Sequence, residues 1–215
     1  MRGMGFAIAI AGLLGLARLA HAEESTGDAK YAALLTDLKS GDTDIDYTAF
    51  REAYAESSHY DPYGEPPERG AMLDAAKAEN CTKVLDAANK VLDGNFTDIQ
   101  AHILAANCAK KQSDASTAKF HHDVALGLIR SIAHSGDGGS ADSPFVVTAV
   151  REEYAFLFSQ GYRVTMQALV QCGKSECDAM TVQDQGGATK TFYFDVSRSM
   201  LWLTKQLGSG KPSAR

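Results

Sequence analysis

Basic residues are in short supply: 21 Lys and Arg stand against 27 Asp and Glu, a formal charge of −6. Phosphate backbones are held chiefly by Lys and Arg, so nucleic acid is excluded as a partner class, and an anionic membrane surface with it. Long apolar runs are also lacking. The longest, at residues 6–16, is too short to cross a bilayer, which takes roughly 20 apolar residues. No Cys-x-x-Cys pair is present, which argues against a zinc site. No Gly-x-Ser-x-Gly elbow offers a serine nucleophile, and no Lys-Ser/Thr closes the glycine-rich stretch as a phosphate loop requires. Asp42, Asp44 and Asp46 alternate as at the start of a calcium loop, but Tyr47 and Ala53 stand where that loop needs Gly and Glu. Those acids read as a loop whose last member caps the next helix. No metal and no cofactor is expected.

What the chain does have begins with an address. Arg2 precedes the short apolar run, and Ala20-His21-Ala22 fits the small-x-small cleavage pattern of a secretory signal peptide. Cleavage at residue 22 leaves 193 residues carrying −8, because Arg2 and Arg18 depart with the signal. A periplasmic or secreted protein is expected, with no membrane insertion after cleavage. Four cysteines remain, Cys81, Cys108, Cys172 and Cys177, and an even count in an exported chain points to two disulfides. Cys172 and Cys177 flank a Gly-Lys-Ser-Glu turn between two strand-like runs, a natural place for a bridge across a hairpin. That pairs Cys81 with Cys108.

The helical register supports this pairing independently. Residues 28–39 and 47–57 read as two short helices. Residues 72–92 read as one long helix or as two with a joint near Asn80, carrying the apolar stripe Cys81, Val84, Leu85, Ala88, Val91, Leu92. Gly94 ends it, and Thr97-Asp98-Ile99-Gln100 matches a capping box opening the next helix. An antiparallel hairpin turning between Gly94 and Asn95 sets Cys81 opposite Cys108. The bridge closes a loop that contributes about 3 kcal/mol in the chain-entropy model. Helices at 99–111 and 117–134, with Ala106, Ala118 and Ala125 at small-residue positions, look like one tetratricopeptide-type unit, though its large aromatic and proline marks are missing.

The glycine-rich segment 136–144 reads as a flexible linker. Beyond it the apolar period switches to two. A strand from 145, a helix at 151–160 and three strands at 162–172, 177–183 and 191–196 precede a last helix at 199–207. Val164, Met166, Ala168 and Val170 make one apolar face of the long strand. The expected class is α+β: a tetratricopeptide-like helical part at 23–135, the linker, a small antiparallel-rich sheet of β-α-β-β-β-α order at 145–208, and a loose tail at 209–215. Residues 23–208 can equally form one compact domain.

Candidate functional residues are few. His121 and His122 are adjacent, so they face different sides of a helix and lack the i, i+4 spacing of a metal pair. His102 on the neighbouring helix can reach one of them, and Asp123 or Glu153 can complete a cluster with them. Glu152 and Glu153 read more simply as an exposed first helical turn, where the helix dipole favours acids. Tyr54, Tyr60 and Tyr63 surround a proline-rich loop. They read as a wedge against the core, and as the rim of an interaction surface in the alternative.

Several phrases carry a family resemblance: residues 46–47 and 51–54, Tyr60-Asp61-Pro62-Tyr63, Ser135-Gly136-Asp137-Gly138, Glu152-Glu153-Tyr154 and residues 165–170. Together they resemble a secreted bacterial family known as domain of unknown function 4919. The resemblance implies export from a bacterial cell and a helical half followed by a β-rich half, and it carries no catalytic residues. The expected function is a non-enzymatic interaction or scaffold module with an unknown protein or peptide partner. The alternative is a cell-envelope enzyme using His102, His121 and Glu153 at the joint of the two halves.

Overall fold

The computed structural model describes residues 26–208; the expected signal peptide at 1–22 and loose tail at 209–215 lie outside the described residues. Six helices come first: α1 (Thr26–Lys39), α2 (Tyr47–Glu56), α3 (Pro67–Lys77), α4 (Cys81–Gly94), α5 (Ile99–Lys111) and α6 (Ala115–Ala133). Then follow β1 (Phe145–Val146), α7 (Val150–Ser159), β2 (Arg163–Cys172), β3 (Ser175–Gln183), β4 (Thr189–Asp195) and α8 (Ser197–Gly208). The class is α+β.

Local chemistry starts the helices. Asp46, Asn80, Asp98 and Asp114 each accept a hydrogen bond from the backbone N–H three residues on. Each cap satisfies an orphan donor of the first turn and contributes roughly 1 kcal/mol. The cap of α5 is Asp98 and not Thr97, one residue later than the capping-box pattern indicates. Thr97 instead turns its hydroxyl to Asn95, and Gln100 binds Arg69. The Asp98 carboxyl also pairs with the Arg69 guanidinium, a charge-assisted contact that fixes it in the capping position. Residues 72–92 form two helices. The chain leaves α3 at Ala78, Glu79 takes a left-handed φ of 53°, and Asn80 caps α4.

Both expected disulfides are present, Cys81–Cys108 between α4 and α5 and Cys172–Cys177 across the β2–β3 hairpin. α5 packs between α4 and α6, while α1 pairs with α2 and α2 leans on α6. At that last crossing a β-carbon on Gly127 would overlap the Tyr47 ring, so the close approach requires glycine.

The sheet has the order β1-β4-β3-β2, with β1 parallel to β4 and the other pairs antiparallel. The long strand departs from simple alternation. Val164 lies opposite Val182 and Met166 opposite Thr181, so Thr165 is an extra residue, a β-bulge. Val164 therefore shares the buried face of Val182 and Met180, while Met166, Ala168 and Val170 fall on the other face. The four do not form one apolar face, because the bulge inverts the alternation after Val164.

One hydrophobic core runs through both halves. Tyr31 stacks on Phe50 at 5.0 Å, Tyr54 meets Tyr60 edge-on at 5.7 Å, and Tyr60 meets Trp202 of α8 at 6.5 Å. The Tyr60 hydroxyl donates to Thr148 O at 2.5 Å. A buried ion pair crosses the same joint: Arg51 donates two hydrogen bonds to Glu152, at 3.0 and 2.7 Å, and others to Ser131 Oγ and Val146 O. The glycine-rich segment is packed and not a free linker. Gly138 N–H donates to Ser143 O and its carbonyl accepts from Tyr193 N–H of β4, while a β-carbon there would strike the Phe145 ring. Among the described residues no helix is long and apolar enough to cross a membrane.

Candidate functional site

Helix α7 covers the sheet with Phe156 and Leu157, which are buried. Its residues Arg151, Tyr154 and Phe158 recur at three and four, so they share a stripe along one side of the helix, distinct from the Phe156–Leu157 face. That stripe forms one wall of a groove of about 1290 Å³. Leu73 of α3 and Ile103 and Leu104 of α5 line the opposite wall, and Tyr162, Arg163 and Val164 lead into β2 at one end. The lining is mostly apolar. Phe158 is 72% exposed and Tyr154 44%, large values for aromatic rings.

The charge around this groove is the reverse of the chain's own. Arg69, Lys77, Arg151 and Arg163 border it, against the single acid Glu65. Arg69 is balanced by Asp98 and Glu65, and Lys77 by Asp74. Arg151 and Arg163 have no carboxylate partner among the described residues. Arg151 donates to the carbonyls of Pro62 and Gly64, at 3.2 and 2.6 Å, and Arg163 to Gln183 Oε1 at 2.5 Å. Two full positive charges therefore stand at the edge of an apolar trough.

Behind Tyr154 a polar chain runs into the sheet. The Tyr154 hydroxyl donates to Gln167 Oε1 at 2.7 Å, and Gln167 Nε2 donates to Asp178 Oδ2 at 2.6 Å. Asp178 and Glu152 are the charged neighbours of Glu153, which is fully buried and whose two oxygens have no hydrogen-bond partner of ordinary geometry. Burial, then the nearby acids, push the Glu153 carboxyl up to about 10, so it is protonated at neutral pH. Burial also raises Asp178, against the hydrogen bonds it accepts.

Glu152 and Glu153 are thus not an exposed first turn. Each has apolar residues three and four positions on, Ala155-Phe156 and Phe156-Leu157, and that spacing turns both toward the core. Glu152 is satisfied by Arg51 and by the Thr148 N–H and hydroxyl.

The enzymatic cluster expected of His102, His121 and Glu153 is not assembled. His102 and His121 do meet, with Nδ1 to Nδ1 at 2.8 Å, and His102 Nε2 lies 3.0 Å from Phe96 O. A carbonyl can only accept, so His102 carries its proton on Nε2 and receives the His121 Nδ1–H. Both ring nitrogens of His102 are engaged without a carboxylate. Burial, reinforced by His121, holds the His102 imidazole down to about 3, and burial also lowers His121. His122 is exposed and bonds weakly to Asp123 at 3.4 Å. Among the described residues no group of three His, Cys, Asp or Glu side chains converges to hold a metal.

The tyrosine patch divides. Tyr54 and Tyr60 are buried core residues, because their rings complete the aromatic stack between α1 and α8. They cannot rim a surface. Tyr63 is 39% exposed and stands at the groove.

A family model described as a domain of unknown function, DUF4919, matches residues 20–204. The chain belongs to the DUF4919 family. Comparison with curated proteins and with solved structures finds no match. The groove of this DUF4919 chain is built from α3, α5 and the consecutive α7 and start of β2, three separate stretches of the sequence. Its one local signal is the exposed aromatic stripe Tyr154–Phe158 on a helix whose other face is apolar.

Proposed function

We propose that this DUF4919 chain is a non-enzymatic binding module that holds a segment of a partner protein in the groove between α3/α5 and α7. The observation that carries this reading is an apolar trough larger than an ordinary small-molecule pocket, with exposed aromatic rings and two unpaired guanidiniums on its border. Exposed rings that are cheap to order are the side chains from which interface hot spots are built, and the stray positive charges select for acidic groups on the occupant. The two disulfides support residence in an oxidising compartment, periplasmic or secreted, of a bacterial cell.

A displayed library of random peptides, panned on the purified protein, tests this. Enrichment of sequences that combine apolar residues with Asp or Glu is expected. Phe158→Glu, a change at an exposed position, should abolish that enrichment while leaving the thermal midpoint in place. Equal enrichment on the wild type and on Phe158→Glu would remove the groove from the function.

A further inference from the structure

The groove does not end at a closed wall. Its lining includes Arg163 and Val164, the first residues of β2, and β2 is an edge of the sheet. Natural proteins blunt such edges with charge, proline or a covering element, because the unpaired backbone is a template for another strand. Here residues 164–172, Val-Thr-Met-Gln-Ala-Leu-Val-Gln-Cys, contain neither a charge nor a proline. Met166 is 63% exposed and Leu169 55%, on opposite faces of the strand.

Which backbone groups are free follows from the ladder. Asp184 N–H donates to Ala188 O, and Val196 N–H donates to Glu176 O. The even-numbered residues of β3 are therefore the ones bonded on the β4 side. Its odd-numbered residues bond to β2, at Met166, Ala168, Val170 and Cys172 by the register. Antiparallel alternation then turns the N–H and C=O of Gln167, Leu169 and Gln171 toward the open edge.

We infer that the partner segment proposed above binds by strand addition: an extended peptide pairs its backbone with the free edge of β2 and runs on into the groove. This rests on the binding reading just given. Main-chain bonds along Gln167–Gln171 provide affinity that is indifferent to sequence. The groove selects apolar side chains, and Arg151 and Arg163 select acidic ones where the edge meets the trough. The occupant is an acidic, apolar, extended peptide.

The experiment uses a fluorescein-labelled synthetic copy of an enriched library peptide, read by fluorescence anisotropy. Leu169→Pro removes an outward N–H without touching a β2–β3 hydrogen bond, a substitution that edge strands tolerate. It should weaken binding by about tenfold, while Leu169→Ala, which keeps the N–H, stays close to wild type. A version of the peptide N-methylated at alternate residues should lose binding to the unaltered protein in one of its two phases. That arm needs no folded proline variant. Binding lost in Phe158→Glu but kept in Leu169→Pro and with both N-methylated peptides would leave the groove as the site and overturn strand addition. Binding kept in every variant would overturn the groove reading itself. A dimer of the free protein that Leu169→Pro dissociates would assign the edge to a second copy and overturn the peptide as its occupant.

Discussion

Replacing Glu153 with Gln should make the protein more stable at neutral pH, and by an amount that grows with pH. The carboxyl is fully buried and held up to about 10 by burial and by Asp178 and Glu152, against roughly 4.3 in an unfolded chain. Between those two values the folded protein keeps a proton that the unfolded chain releases. The unfolded state then binds fewer protons, so stability falls as pH rises, by about 1.4 kcal/mol per unit. A climb from about pH 5 to about pH 7 thus removes about 3 kcal/mol through this one group. Gln keeps the shape and supplies an N–H that can face Asp178 in place of the carboxyl proton, but it does not titrate.

The assay is urea unfolding of wild type and Glu153→Gln across that range. The two curves should nearly coincide at the acid end and separate steadily, reaching about 3 kcal/mol at neutral pH. For a chain of this size that is a rise in Tm of roughly 6–12 °C. A difference independent of pH would refute the protonated carboxyl. So would a variant less stable than wild type throughout, which would mean that Glu153 is ionised and paired.

Three further outcomes concern the other buried polar groups and the helical disulfide. His102 is held neutral, down to about 3, so below roughly 6.5 the unfolded chain takes up a proton that the folded one refuses. Wild type should lose about 1.4 kcal/mol per unit as pH falls below that point, and His102→Gln should flatten this acid limb in pH-dependent unfolding. Arg51→Met leaves Glu152 buried without its partner and should cost about 3–5 kcal/mol by thermal denaturation, while the double variant Arg51→Met, Glu152→Met should recover most of it. Cys81→Ser with Cys108→Ser opens a loop spanning 27 positions and should lower stability by about 3 kcal/mol in urea unfolding; no change would mean that the bridge does not constrain the unfolded chain.

Helical structure and disulfides were legible in the sequence because their determinants are local. Gly94 and the acceptor at 97–98 locate the α4–α5 turn, and that turn alone sets Cys81 opposite Cys108. The buried acids were misread for a reason that is also local. Adjacent glutamates in a first helical turn match the dipole preference, but the apolar residues three and four positions on carry the larger free energy and decide which way the turn faces. The tyrosines show the limit of composition: Tyr54, Tyr60 and Tyr63 look alike in sequence. Contacts far along the chain separate them: Tyr54 packs on Tyr31 and Tyr60 donates to Thr148 O, while Tyr63 meets Trp202 and stays 39% exposed.

The bulge at Thr165 is where local reading fails with the largest consequence. Alternation through Val164, Met166, Ala168 and Val170 predicts a strand with one buried apolar side. A single extra residue moves Met166, Ala168 and Val170 to the opposite face and leaves Gln167 and Leu169 on the side of α7. Gln167 there takes the Tyr154 hydroxyl and reaches Asp178, so the bulge also builds the polar link between groove wall and buried acid. Replacing Gln167 with Leu removes both links while leaving the bulge and the β2–β3 register in place. Asp178 would then lose the Gln167 hydrogen bond that opposes its upward shift, and the fall of stability with rising pH should steepen in urea unfolding of the variant against wild type. If the slope is unchanged by the substitution, the Gln167 amide does not hold Asp178 down, and the network ends at Tyr154.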